Sequence, residues 1–192
     1  LRKLGVKPGD RVATFAWNSY RHMELYFAVP ALGAVLHTLN IRLFPEQLVY
    51  IVNHAEDSLI FCDKSLMKPL ADLEPQFKTV KQFIVMDDLS PDQGLKLKGM
   101  TDYESLIAAE NAVAEFPAFD ENTAAGMCYT SGTTGEPKGV LYSHRSNVLH
   151  AMAANQTDVF GCGARDVVMP IVPMFHANAW AIAFVAPMCG AK

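Results

Sequence analysis

A chain of 192 residues with 51% apolar content is long enough for one substantial core and too apolar for a disordered segment. Its net charge of −4, with Lys and Arg scattered, argues against a nucleic-acid footprint. The four cysteines, at 62, 128, 162 and 189, have neither C-x-x-C nor metal-like spacing, which fits buried free thiols in a reducing, cytoplasmic setting.

In chain order, Pro8-Gly9 punctuates a turn before a strand over Arg11–Trp17. Asn18 and Ser19 start a helix that runs to about Ala34, with Pro30 expected to kink or shorten it. Val35–Leu39 reads as a strand. Pro45 opens a helix carrying Leu48, Ile51, Val52 and Ala55 at helical spacing. Strands over Ser58–Cys62 and Val80–Met86 flank a helix capped by Asp63 and running to about Leu73. Asp87–Met100 is a polar connector, and Thr101–Glu104 a capping box before a short helix. A strand over Thr123–Tyr129 follows a second connector. Ser143 caps a helix to about Asp158, with Val148, Leu149 and Met152 on one face. Asp166–Val172 reads as a strand. Ala177–Ala191 is almost wholly apolar but short of the roughly 20 residues of a membrane span, so a buried core helix is expected. Apolar strands alternating with amphipathic helices predict an α/β fold, a largely parallel sheet with helices on both faces. Ligands of such sheets bind beyond the carboxyl ends of the strands.

The stretch Tyr129-Thr-Ser-Gly-Thr-Thr-Gly-Glu-Pro-Lys-Gly-Val140 collects four aliphatic hydroxyls, three glycines and one lysine. Glycines let backbone amides approach an anion closely. Hydroxyls add donors for phosphate or ligands for Mg²⁺, and Lys138 adds a point charge. The stretch reads as a nucleotide-phosphate cradle. It departs from the P-loop, in which a Lys-Ser/Thr pair follows a glycine and opens a helix. Here Pro137 and Gly139 flank Lys138, and the apolar Val140-Leu141-Tyr142 follows, so strand–loop–strand is expected.

This loop resembles the signature of the adenylate-forming (AMP-binding) enzymes. Val172-Pro-Met-Phe-His-Ala-Asn-Ala-Trp180 resembles the same family's next core motif. Leu36–Leu43, Pro45–Gln47 and Ile51–Asp57 look most like the medium- and long-chain fatty-acyl-CoA synthetases. The resemblance implies that residues 1–192 are a partial N-terminal AMP-binding domain, with the phosphate loop at 129–140 and the acyl/adenylate motif at 172–180. The small C-terminal domain, with its lysine, and the downstream Mg²⁺ and adenine motifs would lie outside it. Both ends also read as cut, Leu1 lacking a preceding Met and Lys192 closing an apolar run.

The resemblance further implies a fatty-acyl-CoA synthetase that takes ATP, Mg²⁺, coenzyme A and a fatty acid. Thr130 would bind Mg²⁺; Ser131, Gly132, Thr133, Thr134, Gly135 and Lys138, with Thr130, would hold the ATP phosphates. His176 would stand beside the acyl carboxylate and adenylate, orienting rather than deprotonating it. Ala177 would line the same site, and Trp180, four residues after His176 and on one helical face with it, would gate the acyl path. Ordinary core packing of Trp180 is the competing reading. His37 and His54 read as structural. The isolated chain is expected to be inactive. An aryl- or amino-acid-adenylating enzyme, or a non-catalytic nucleotide-binding or interaction module, are the alternatives. Homodimer formation stays open, and no transmembrane or nucleic-acid partner is expected.

Overall fold

The computed structural model describes residues 1–87, 91, 94–112, 115–130 and 135–192. Its strands are β1 (Arg11–Phe15), β2 (Val35–Thr38), β3 (Leu59–Asp63), β4 (Gln82–Met86), β5 (Thr101–Asp102), β6 (Ala124–Tyr129) and β7 (Gly139–Ser143). They form one seven-stranded sheet in the order β5-β4-β3-β1-β2-β6-β7. Every neighbouring pair is parallel except β6 and β7, which form an antiparallel hairpin around the glycine-rich loop.

Side chains alternate across a strand, so each strand feeds two cores. Val12, Leu59 and Phe61 pack with Leu25 and Tyr26 of α1 (Tyr20–Ala28) and with Ala183 of α6 (Ile182–Cys189). Their neighbours Ala13, Phe15, Ile60 and Cys62 pack with Leu48, Ile51 and Val52 of α2 (Pro45–Ala55) and Met67 and Leu70 of α3 (Met67–Leu73). Helices therefore cover both faces, as the alternating pattern predicts. Each fully buried side chain of this size contributes roughly 1.5–3 kcal/mol, and two such layers hold the central strands in register.

Local chemistry sets the boundaries. The Ser19 hydroxyl accepts the His22 N–H at 3.2 Å and caps α1. That helix ends at Ala28, earlier than Ala34. Pro30 starts a separate 3-10 turn to Leu32, and Gly33 reverses the chain at φ 75°. A Cβ at Gly33 would lie 2.7 Å from the Phe119 ring, so the turn needs glycine twice over. Pro45 opens α2 as expected, and the Phe44 N–H is taken by the Gln47 side chain at 3.4 Å. The short helix α4 (Tyr103–Ala108) is capped by Asp102, not Thr101: its carboxylate accepts the Ser105 N–H at 2.8 Å. Ser143 caps α5 (His144–Ala154), accepting the Ser146 N–H at 3.1 Å. That helix stops short of Asp158 because Asn155 folds the chain back, its amide bonding both the N–H and the C=O of Cys162.

Two expectations fail in the last third. Asp166–Val172 is no strand: Val167, Met169 and Ile171 alternate outward at 78%, 77% and 79% exposure. Alternation alone does not make a strand without a neighbour, and the backbone bonds of this run go to Lys192, from Val168 at 2.7 Å and to Asp166 at 3.0 Å. The run Ala177–Ala191 is not one helix. Ala177–Ala181 winds left-handed, with φ of 45°, 52°, 49°, 55° and 71°, before α6 begins. His176 and Trp180 therefore do not share the face of a right-handed helix. Among the described residues no helix is long and apolar enough to cross a membrane.

Candidate active site

The site lies where the sheet's carboxyl ends meet the 170–181 segment. Three side chains from the first half of the chain clamp that segment. Asn18, just beyond β1, donates from Nδ2 to the carbonyls of Pro170 and Val172, both at 3.0 Å, and accepts the Met174 N–H on Oδ1 at 2.7 Å. Its expected role was helix start; the structure gives that to Ser19. Tyr26 of α1 donates its hydroxyl to the Met174 carbonyl and meets Asn178 Oδ1 at 3.3 Å. Thr38, at the end of β2, faces the Phe175 carbonyl at 3.5 Å. These bonds present His176 and Ala177 at the rim.

The left-handed winding follows from Asn178. A left-handed turn costs L-residues roughly 1–2 kcal/mol each, least for Asn and Gly. Asn178 is buried, tied to Tyr26 and close against Gly126 of β6, where a Cβ would stand 3.9 Å from its Nδ2. Ala179 and Ala181 are buried beside it. Three unbranched alanines suit the crowding, and sequence periodicity carries no sign of handedness.

The hairpin neck is closed by the Thr130 N–H donating to the Lys138 carbonyl at 3.0 Å, next to the Tyr129–Gly139 pair. Thr130 and Lys138 both have exposed side chains, and Gly135 sits at φ 145°, which only glycine adopts readily. Ser131, Gly132, Thr133 and Thr134 lie outside the described residues. Gly139 has a packing reason: a Cβ there would meet the Tyr129 ring at 3.1–3.3 Å.

Tyr129 sits between two histidines. Its hydroxyl lies 2.7 Å from His54 Nδ1, and burial pushes the phenol up to about 12, with Asp57 adding to the shift, so the phenol stays protonated. Its ring stands 5.2 Å from that of His37. His37 is fully buried, and its Nδ1 meets both carboxylate oxygens of the fully buried Asp57 at 2.8 and 2.9 Å. Burial raises the Asp57 pKa, and the His37 contact works against that rise. No protein partner reaches His37 Nε2 among the described residues.

Two cavities share Ala177 as a lining residue. A small one of about 20 Å³ is lined by His37, Thr38, Asn40, Tyr129, His176 and Ala177, which brings the loop's first residue beside the second motif. Beyond Ala177 opens a largely apolar cavity of about 530 Å³, lined by Ala154, Val159, Phe160, Trp180, Ala181 and Phe184, with Asn147 and His150 among its polar groups. Trp180 is 62% exposed at its edge and is no core residue. The sequence reading did not find Asn18, Tyr26, Asn178, Tyr129 or Asp57 as site supports. Asp57 follows the end of α2, and its partner His37 comes from β2, twenty residues earlier.

A family model described as "AMP-binding enzyme" matches residues 1–192. The chain belongs to the AMP-binding enzyme family. Among curated relatives it is 52% identical, over all 192 of its residues, to a 3-methylmercaptopropionyl-CoA ligase of Ruegeria lacuscaerulensis, covering 36% of that protein. It is 46% identical to a medium-chain-fatty-acid–CoA ligase of Ectopseudomonas oleovorans and 48% identical to a long-chain-fatty-acid–CoA ligase of Thermus thermophilus. It covers 35% and 34% of those two, and the whole of this chain is matched in both. The chain thus spans about a third of the length of these AMP-binding relatives. In structure it matches a fatty acyl CoA synthetase of Mycobacterium tuberculosis at a TM-score of 0.72 and 25% identity, over 100% of this chain and 35% of that one. It also matches ATP-bound MatB of Rhodopseudomonas palustris at 0.79 and 22% identity, over 100% and 36%, which supports the fold alone.

Proposed function

We propose that this chain is the acid- and phosphate-binding part of an ATP-dependent acyl-CoA synthetase for aliphatic acids, within a longer AMP-binding protein. The observation that carries the reading is the convergence of Tyr129, His176 and Ala177 on one small cavity, with Ala177 also lining the apolar one. Ligand sites of this kind are apolar with a few convergent polar groups. The relatives' names add thioester formation with CoA, on acids that are aliphatic and range from short to long.

In this reading the acid's carboxylate attacks the α-phosphorus of Mg·ATP and diphosphate leaves. The CoA thiol then attacks the acyl carbonyl of the adenylate and AMP leaves. The obstacle to the first step is charge: each like-charge pair at about 4 Å costs on the order of 4 kcal/mol at an effective dielectric near 20. Thr130 offers its exposed hydroxyl to the magnesium of Mg·ATP. Lys138 offers its ammonium to the β- and γ-phosphates together with Ser131, Gly132, Thr133, Thr134 and Gly135. His176 orients the carboxylate, Ala177 leaves room beside it, and Trp180 stands at the mouth of the acyl cavity. Residues 1–192 alone hold half a site and lack turnover, since such groups act as a unit. The same proposal places the protein in the cytoplasm.

The test is AMP formation by the full-length protein with octanoate, 3-methylmercaptopropionate and benzoate. Acid-dependent AMP release, faster with the aliphatic acids and lost in Lys138→Ala, is the expected result. A folded protein without acid-dependent AMP would overturn the reading, and a preference for benzoate would overturn its aliphatic part.

A further inference from the structure

Beyond the short β2–β6 ladder, the neck of the phosphate hairpin carries one aromatic residue with partners on three sides. Tyr129 is the last residue of β6, immediately before Thr130. Its ring lies over Gly139 at the start of β7, so it touches both strands of the neck that holds Thr130 and Lys138. Its hydroxyl reaches across to His54 in the last turn of α2. His54 is itself stacked on Tyr50 one turn earlier, with ring centroids 5.2 Å apart and planes 22° from parallel. The inner side of the Tyr129 ring meets His37 of β2, which the Asp57 carboxylate holds in one orientation.

We propose that Tyr129 and His54 are positioning residues for the phosphate end of Mg·ATP. Their hydrogen bond ties the neck of the loop to α2, and the Asp57–His37 pair backs the ring from inside. This deepens the reading given above and rests on it.

The geometry distinguishes a positioning bond from a stabilising one. His54 is exposed, and the partly buried Tyr129 ring, which packs against the cores, is kept in Tyr129→Phe. The bond joins two elements that are distant in sequence and meets the hairpin one residue from Thr130. Fixing that joint pre-orders the loop ends before the nucleotide arrives, which lowers the ordering cost of binding. Tyr129 also lines the small cavity beside His176 and Ala177, but Tyr129→Phe and His54→Leu remove the bond and keep the ring, so their effect falls mainly on nucleotide.

The experiment uses the full-length protein with Tyr129→Phe, His54→Leu, His54→Gln and the Tyr129→Phe/His54→Leu double variant. Calorimetric Kd for Mg·ATP, KM for Mg·ATP and for the acid, and the thermal midpoint are read for each. Tyr129→Phe and His54→Leu are expected to weaken Mg·ATP about three- to tenfold, the range for losing one hydrogen bond. The acid KM changes less than about twofold in both. His54→Gln, whose carbonyl can accept the phenol, restores binding, and the double variant is no weaker than either single one. Unchanged Mg·ATP affinity in both single variants overturns the proposal. So do additive losses, or a loss shared equally by acid and nucleotide. A wild-type protein that binds Mg·ATP but forms no acid-dependent AMP overturns the synthetase reading instead, and the calorimetric comparison still decides the role of Tyr129.

Discussion

Single side chains carry most of the inter-element work in this molecule. Asn18 satisfies three backbone groups of the 170–174 segment, and no other residue type of its size offers both two donors and an acceptor. Asn18→Asp keeps the acceptor and loses both donated bonds. It is expected to raise the acid KM of the full-length enzyme by about thirtyfold, at about 1 kcal/mol for each of the two bonds lost, while the Mg·ATP KM holds. His22 sets a pH limit. It is fully buried, with Nε2 2.9 Å from the Thr14 hydroxyl and Nδ1 3.0 Å from the Trp17 carbonyl. Burial depresses its pKa to about 4, against the Trp17 carbonyl contact, which favours the proton. The unfolded chain therefore binds the proton first. Stability is complete above about pH 6.5, falls as pH drops toward 4, and changes no further below that through this group; the loss is roughly 3 kcal/mol. Chemical denaturation of the wild type and of His22→Gln at pH 7 and pH 4.5 should show a smaller pH difference in the variant.

At the scale of elements, the left-handed turn Ala177–Ala181 makes an unusual mutational forecast. In a right-handed helix Ala→Gly costs about 1 kcal/mol. At Ala177, exposed and at φ 45°, glycine instead relieves backbone strain. Ala177→Gly is expected to stabilise by about 0.5–1 kcal/mol, raising the thermal midpoint by roughly 1–4 °C. A lowered midpoint would return the segment to an ordinary helix. The elements before this point were largely legible, because Pro45, Ser19, Ser143 and the strand alternation act within a few residues. The hairpin was legible too, since Pro137 and Gly139 bar a helix after the loop. Handedness at 177–181 was not, because it is decided by Asn178 meeting Tyr26 from more than a hundred residues away. The failed strand at 166–172 shows the converse: its alternation is genuine, and only a neighbour would make it a strand. His176 and Ala177 were found through a motif, whereas the residues that hold them in place left no local pattern.

Across the whole molecule, apolar exposure is uneven. Val148, Leu149 and Met152 of α5 are 56%, 49% and 53% exposed, and Val140 and Leu141 of β7 are also open. The residues grouped on one helix face by spacing thus face outward. Exposed apolar groups on one element promote association. The 192-residue chain is expected to sediment as a concentration-dependent oligomer, and Val148→Glu/Met152→Glu to shift it toward monomer without lowering its thermal midpoint. The sheet is uneven as well. Strands β1 to β4 are joined by runs of four or five register pairs, whereas β2 and β6 share only Leu36↔Gly126 and His37↔Met127. That two-rung seam also joins segments some ninety positions apart, so its closure awaits a long loop. The consequence is temporal: the hairpin is expected to zip onto the sheet after β1 to β4 during folding and to breathe before them afterwards. Amide protons of Gly126 and Met127 should exchange with solvent well ahead of those of Ile60 and Ile84, making the loop's home a separately melting cooperative unit.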